Sequence, residues 1–259
     1  MSNNQPKRKD QKKHRRLNPR FVGLVFIAAA LLLAGLIIWA VTADRDPGNQ
    51  GTATGNFSPI PTKPDIQIGD LEDVQTDLGK NLQITDIGSY TGVYMEDGSD
   101  EVVSRVLMIV VKNTGDKTVQ YGQVALTDGT TTANFTVTTL PPGESVVLLE
   151  QSRMSYADGK GLTQSSVSNV AVFAAEPSLC QDQLKIQSLN GAMNITNISG
   201  EDVTGDIVIY YKNAASDMLY GGITYRVTIK GGLKADEVRQ ITASHFSATG
   251  SRIMFVTCG

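Results

Sequence analysis

An all-β protein held out from a membrane by one apolar helix is the architecture this sequence predicts. Three observations lead there. The chain from Phe21 to Val41, FVGLVFIAAALLLAGLIIWAV, has no charged side chain. From Leu82 onward short runs rich in Val, Ile, Thr and Tyr alternate with Gly, Asp, Asn and Pro. The second half of that β-rich stretch repeats the order of the first. The expected fold is therefore a single N-terminal transmembrane helix followed by two tandem β-sandwich domains.

The span comes first. At ~1.5 Å of rise per residue, Phe21–Val41 covers roughly 30 Å as a helix, the hydrocarbon thickness of a bilayer. Residues 1–20 form a basic tail with Lys7, Arg8, Lys9, Lys12, Lys13, Arg15, Arg16 and Arg20 against Asp10, net +7. Of 23 basic and 26 acidic residues in the chain, 15 and 25 therefore lie beyond the tail, net −10. Lys and Arg stay on the cytoplasmic side of a first span, and Trp39 suits the aromatic belt at its outer end. The expectation is a cell-membrane protein crossing once through residues 21–42, N-terminus cytoplasmic and C-terminal domains extracytoplasmic. The apolar run exceeds the ~7–15 residues of a signal-peptide core, so it reads as an uncleaved signal-anchor. Val41-Thr42-Ala43 nonetheless offers the small residues a signal peptidase accepts. The lipid bilayer is thus the first expected partner. Nucleic acid is not, because a twenty-residue charged tail supplies no base-reading element.

Residues 43–66 are dominated by Gly, Pro, Ser, Thr and Asn and predict a flexible linker. In GDLEDVQTDLG the spacing of Leu71, Val74 and Leu78 fits one or two helical turns or an irregular lead-in.

The first β domain is expected over 67–176. LQITDIGSY, VVSRVLMIVVKN, VQYGQVALTDG, ANFTVTTL, SVVLLE and NVAVFAA are its strand candidates. Asp97-Gly98 and Asp128-Gly129 supply hairpin corners where positive φ is needed. The second domain, over 177–259, follows the same scheme. Asn113-Thr-Gly-Asp-Lys-Thr-Val119 aligns with Asn197-Ile-Ser-Gly-Glu-Asp-Val203, and Val124 and Leu126 align with Val208 and Tyr210. Leu140-Pro-Pro-Gly-Glu-Ser aligns with Leu233-Lys-Ala-Asp-Glu-Val, LQITDI with LKIQSL, and NVAVFAA with RIMFVTC.

The succession of the Asn-Thr-Gly turn, Val124-Ala-Leu126-Thr-Asp128, an aromatic strand around Phe135 and the Leu-Pro-Pro-Gly-Glu-Ser corner resembles the FxLYD-type domains. Val124 stands where that signature has Phe and Thr127 where it has Tyr; Val208-Ile-Tyr210-Tyr-Lys212 lacks its Asp. The resemblance implies Ig-like β-sandwich modules of bacterial exported and membrane-anchored proteins. It implies no catalytic residues.

The two cysteines, Cys180 and Cys258, bracket the second domain. First and last strands of a sandwich are often neighbours, and an exported location is oxidising, so a structural disulfide is expected. Two reduced, buried thiols are the alternative. Signs of chemistry are otherwise sparse. His245 sits in a Ser/Thr-rich connection and reads as a turn residue, and no His/Cys cluster has metal-ligand spacing. The acidic run from Glu96 to Glu101 reads as a solvated hairpin tip rather than a Ca²⁺ loop, lacking alternating Asp spacing. Asn134, Asn194 and Asn197, although in glycosylation sequons, read as turn residues.

Neither a cofactor, a metal nor catalysis is expected. Met218, Leu219 and Tyr220 lie in the longer hairpin of the second domain and are candidates for docking a partner. The functional expectation is a membrane-anchored extracytoplasmic binding or scaffold protein of the bacterial cell envelope, engaging another extracytoplasmic protein or the cell wall. The alternative is a regulatory or signal-transducing membrane protein whose ectodomain senses an envelope ligand or partner.

Overall fold

The computed structural model describes residues 64–71 and 74–259. The basic tail, the span expected over 21–42 and nearly all of the linker lie outside them. What is described is all-β. Two short strands, β1 (Asp65–Ile68) and β2 (Asp77–Gly79), lead in. The first copy follows as β3 (Leu82–Val93), β4 (Val102–Asn113), β5 (Val119–Thr127), β6 (Thr132–Leu140), β7 (Ser145–Leu149) and β8 (Gln164–Val172). The second copy is β9 (Leu184–Leu189), β10 (Ala192–Asn197), β11 (Ile207–Ala215), β12 (Met218–Ile229), β13 (Val238–Thr242) and β14 (Ser251–Thr257). Of the residues whose lead-in conformation was open, Leu71 and Val74 form a turn, Val74 N donating to Leu71 O at 2.9 Å, and Leu78 enters β2.

Strand order repeats between copies. The run β3-β4-β7 in the first corresponds to β9-β10-β13 in the second, and β6-β5-β8 corresponds to β12-β11-β14. The copies do not stay apart. β7 pairs in parallel with β12, so β1-β3-β4-β7 and β12-β11-β14 become one eight-stranded sheet, with β2 on the flank of β3. All described residues belong to one compact unit, Gly55–Gly259.

Three apolar clusters follow from the two-residue period of the strands. In the first, Leu107, Ile109 and Val111 of β4 meet Val124 and Leu126 of β5 and Phe135 and Val137 of β6. In the second, Met193 and Ile195 of β10 meet Ile207, Ile209 and Tyr211 of β11. The intervening residues of β4, Val106, Met108 and Val110, point to the opposite face and form a third cluster with Tyr90, Tyr94, Val147 and Leu149. A strand buried on both faces reads as a continuous apolar run, which explains VLMIVV in the sequence.

One polar device occurs twice. Asn113 and Asn197 are both fully buried at the ends of β4 and β10. Asn113 Nδ2 donates to Lys117 O at 2.9 Å and to Leu140 O at 2.9 Å. Asn197 Nδ2 donates to Glu201 O at 2.7 Å, to Leu233 O at 3.2 Å and to Lys234 O at 3.0 Å. Each side-chain oxygen accepts the amide two residues on, from Gly115 at 2.9 Å and Ser199 at 3.0 Å. Each backbone amide reaches the matching corner, Asn113 N to Glu144 O at 2.9 Å and Asn197 N to Glu237 O at 3.0 Å. The aligned positions thus make matching bonds, with Lys234 O an additional acceptor in the second copy. Asn197 is no ordinary turn residue, and its burial leaves no room for a glycan.

Truncating either clamp orphans buried carbonyls, and a lost partner for a buried polar group costs about 1–3 kcal/mol. Asn113→Ala and Asn197→Ala are each expected to lower the unfolding free energy by about that much, whereas Gln187→Ala on the exposed face of β9 stays within about 0.5 kcal/mol. Urea denaturation of the three variants checks this, and equal effects at Asn197 and Gln187 would contradict it.

Candidate functional site

The junction of the two copies concentrates the buried ionisable groups. In the β7–β12 pair Met218 faces Ser145, Leu219 faces Val146 and Tyr220 faces Val147. Continued by two residues, this register would put Gly222 opposite Leu149, but the strands part there. The carboxylate of Glu96 fills the fork. Leu149 N donates to Glu96 Oε1 at 2.9 Å and Gly222 N donates to Oε2 at 2.7 Å. A side chain thereby continues a ladder that the backbones no longer make.

Gly222 is required by the approach of β6. A Cβ at that position would lie 2.0 Å from Thr136 O. Gly221 before it has φ +83°, which starts the bulge that turns β12 out of register with β11. Lys212, fully buried, spans that bulge. Its Nζ donates to Ile223 O at 3.0 Å, to Thr138 O at 3.0 Å and to Thr138 Oγ1 at 3.3 Å. Thr138 Oγ1 in turn donates to Gly222 O. Glu96 and Lys212 thus tie both copies together from opposite sides of one bulge.

Burial sets their proton affinities. Desolvation raises the Glu96 carboxyl above the ordinary carboxylate range, opposed by the N–H groups of Leu149 and Gly222. Desolvation lowers the Lys212 ammonium, opposed by the charge of Glu96. A weakly basic lysine amine beside a threonine hydroxyl is the raw material of a hydroxyl–lysine dyad. Here both groups are committed to backbone carbonyls, and the amine is shut away from solvent.

A second fastening lies on the surface of the junction. Arg153 pairs with Asp97 at 2.9 Å and with Glu101, and its guanidinium sits 4.5 Å from the centre of the Tyr94 ring. The acidic hairpin tip of the first copy is therefore folded back over its own sheet. Asp100 at that tip meets His245 of the second copy, Oδ1 to Nδ1 at 3.1 Å, and the His245 ring stacks on Tyr225 at 4.8 Å. Among the described residues no three His, Cys, Asp or Glu side chains converge as a metal site.

The sequence-predicted sites fall as follows. Met218, Leu219 and Tyr220 are not an exposed hairpin. They form the β12 side of the junction, with Leu219 buried in the first cluster and Met218 and Tyr220 packed against the third. Leu219 is buried, while Met218 and Tyr220 keep part of their surface exposed. Cys180 and Cys258 come together, but not through pairing of the first and last strands: β9 and β14 lie in different sheets, and it is the segment before β9 that reaches β14, Val256 N donating to Ser178 O at 2.8 Å. Both are thiols in this structure, Cys180 Sγ lying 3.5 Å from Val256 O. Partial burial, then the hydrogen bond to Cys180, raises the Cys258 thiol above its ordinary value. The junction groups Glu96, Lys212 and His245 escaped sequence reasoning as a set, because only the fold brings them together.

A cavity of about 350 Å³ opens elsewhere, between the lead-in and the connection from β7 to β8. Asp70, Val74, Ile87, Tyr156, Lys160 and Leu162 are among its walls. Compared with protein-family models, with curated proteins and with solved structures, the chain matches none.

Two measurements test these assignments. Because the folded state binds the Glu96 proton more tightly than the unfolded state, this group's contribution is complete below the ordinary carboxylate range and is lost as pH rises above it. Glu96→Gln is expected to flatten the loss of stability from pH 4 to neutrality relative to the parent, as read by denaturation at a series of pH values; parallel curves would contradict it. For the cysteines, oxidised chain is expected to lack the mass of two hydrogens and to gain about 4 kcal/mol in the chain-entropy view. Two alkylatable thiols after exposure to a glutathione redox buffer would refute the pairing.

Proposed function

We propose that this chain is a membrane-anchored extracytoplasmic binding or scaffold protein of the bacterial cell envelope, non-catalytic, displaying two Ig-like β-sandwiches. One observation carries the reading. The two copies share an eight-stranded sheet and are fastened through buried Glu96 and Lys212, so the unit beyond the spacer is stiff rather than jointed. A stiff unit holds its surface loops at fixed separations, which is what a scaffold or receptor for an envelope partner needs. A further buried polar group is spent on structure: Glu150, almost wholly buried, accepts amides from Asn134 at 3.2 Å and Met154 at 2.8 Å. The resemblance to FxLYD-type domains supports the same setting. Residues 21–42 are the proposed membrane contact, and the ectodomain faces another extracytoplasmic protein or the cell wall.

In-cell crosslinking followed by mass spectrometry tests the proposal with full-length, tail-deleted and ectodomain-deleted chains. Envelope partners are expected with the first two and lost with the third. Recovery of cytoplasmic partners that depend on residues 1–20 would instead favour a signal-transducing protein.

A further inference from the structure

A strand at the end of a sheet turns half of its amides and carbonyls away from the ladder, ready for another strand. β13 is such an edge, the end strand of β13-β10-β9. It pairs with β10 from Ala192↔Thr242 to Thr196↔Val238 without a register shift. Asn197 N donating to Glu237 O at 3.0 Å and Ala243 N donating to Gly191 O at 2.9 Å flank that ladder. Bonded pairs alternate along an antiparallel ladder, so Arg239 and Ile241 direct their backbone groups to β10. Val238, Gln240 and Thr242 direct theirs outward. The side chains of the same three residues are exposed, Val238 at 62%. β13 carries no Lys, no Pro and no bulge of the kind that protects an edge.

The internal repeat shows the same edge in use. β13 stands where β7 stands in the first copy, and Val238, Gln240 and Thr242 align with Ser145, Val147 and Leu149. On β7 that edge is taken, by Met218–Tyr220 of β12 and by the Glu96 carboxylate. β6, the counterpart of β12, is not built to do this for β13 of a neighbouring chain. It has 9 residues to the 12 of β12. Its own outward groups are engaged, Asn134 N donating to Glu150 Oε1 at 3.2 Å and Gln151 N to Asn134 O at 3.0 Å.

We propose that β13 pairs with β13 of a second copy of this chain, antiparallel about a two-fold axis at Gln240. That register sets Gln240 opposite Gln240 of the partner subunit and Val238 opposite Thr242 of the partner subunit. Every outward amide and carbonyl of the strand then finds a counterpart. The β-branched Val and Thr suit each other across strands, and the Gln amides bond across the axis. On the opposite face Arg239 meets Ile241 of the partner subunit, and Arg239 is itself paired with Glu237, so like charges are not opposed. A strand of 5 residues buries little area, so the contact suits chains concentrated in one membrane. That last point alone rests on the anchored reading above.

The test mixes donor- and acceptor-labelled full chains in vesicles of phosphatidylethanolamine and phosphatidylglycerol and follows energy transfer against chain density. Transfer in the parent is expected to exceed random mixing and to saturate. Gln240→Pro removes an outward amide and spares the ladder to β10; it is expected to weaken association about tenfold. Gln240→Lys sets two ammonium groups across the axis and Gln240→Glu two carboxylates. Each alone is expected to weaken association about fivefold, and a mixture of the two to recover the parent level. Parent transfer no greater than random mixing, or transfer that these substitutions leave unchanged, overturns the pairing. So does a mixture no better than either charged variant alone. Chains that stay out of the vesicles would remove the anchor instead, and the same mixtures in buffer then decide the pairing by themselves.

Discussion

The edge-to-edge pairing of β7 with β12 is the contact on which the two-copy arrangement depends. It is short, three residues in parallel register, and parallel ladders are the slightly weaker kind. Glu96 lengthens it by supplying acceptors for Leu149 N and Gly222 N where the strands diverge. Such a device is costly to bury and costly to remove. Taking a carboxylate from water is repaid only when its acceptor sites are filled, and deleting it leaves two amides without partners. Gly222 and Lys212 belong to the same solution. The glycine lets β6 come close, and the amine binds the Ile223 carbonyl in the bulge of β12 together with the Thr138 carbonyl of β6.

Much of this fold was legible in the sequence, for identifiable reasons. The period-two alternation in AMNITN and the double-sided run VLMIVV report burial directly, because side chains in a strand point alternately to two faces. The repeat was legible because Asn113 and Asn197 do identical work, and no other residue offers two amide donors and an acceptor in so small a volume. The proximity of Cys180 to Cys258 was expected from neighbouring first and last strands, but β9 and β14 lie in different sheets and the segment before β9 makes the contact instead.

What the sequence concealed was the fusion. Nothing in the pattern of β7 or β12 marks them as partners, since an edge strand and an inner strand differ in what lies beside them, not in composition. Glu96 sits among acids and read as one more solvated charge at a hairpin tip; its partners Leu149 and Gly222 lie 53 and 126 residues further along the chain. Lys212 follows two tyrosines, and nothing in that local pattern marks a lysine that will be fully buried. Met218, Leu219 and Tyr220 read as an exposed apolar hairpin because the surface that covers them comes from the other copy. His245 is in a turn, as its sequence suggested, but its contact with Asp100 comes from the other copy and was concealed for the same reason.

Fusion also decides how the molecule meets others. A free sheet edge invites strand addition, and merging β7 with β12 removes two such edges. β14 is covered at Val256, whose amide donates to Ser178 O at 2.8 Å, in the segment that carries Cys180. β6 lies against Gly222 and Lys212, and β8 is bulged near Asn169, where φ is +53°. β9 carries Lys185, a charge that discourages pairing. β13 is the contrast, a regular edge in the position of β7 with no described strand laid along it. Its conformation is already fixed by the ladder to β10, so little ordering entropy remains to oppose the arrival of another strand.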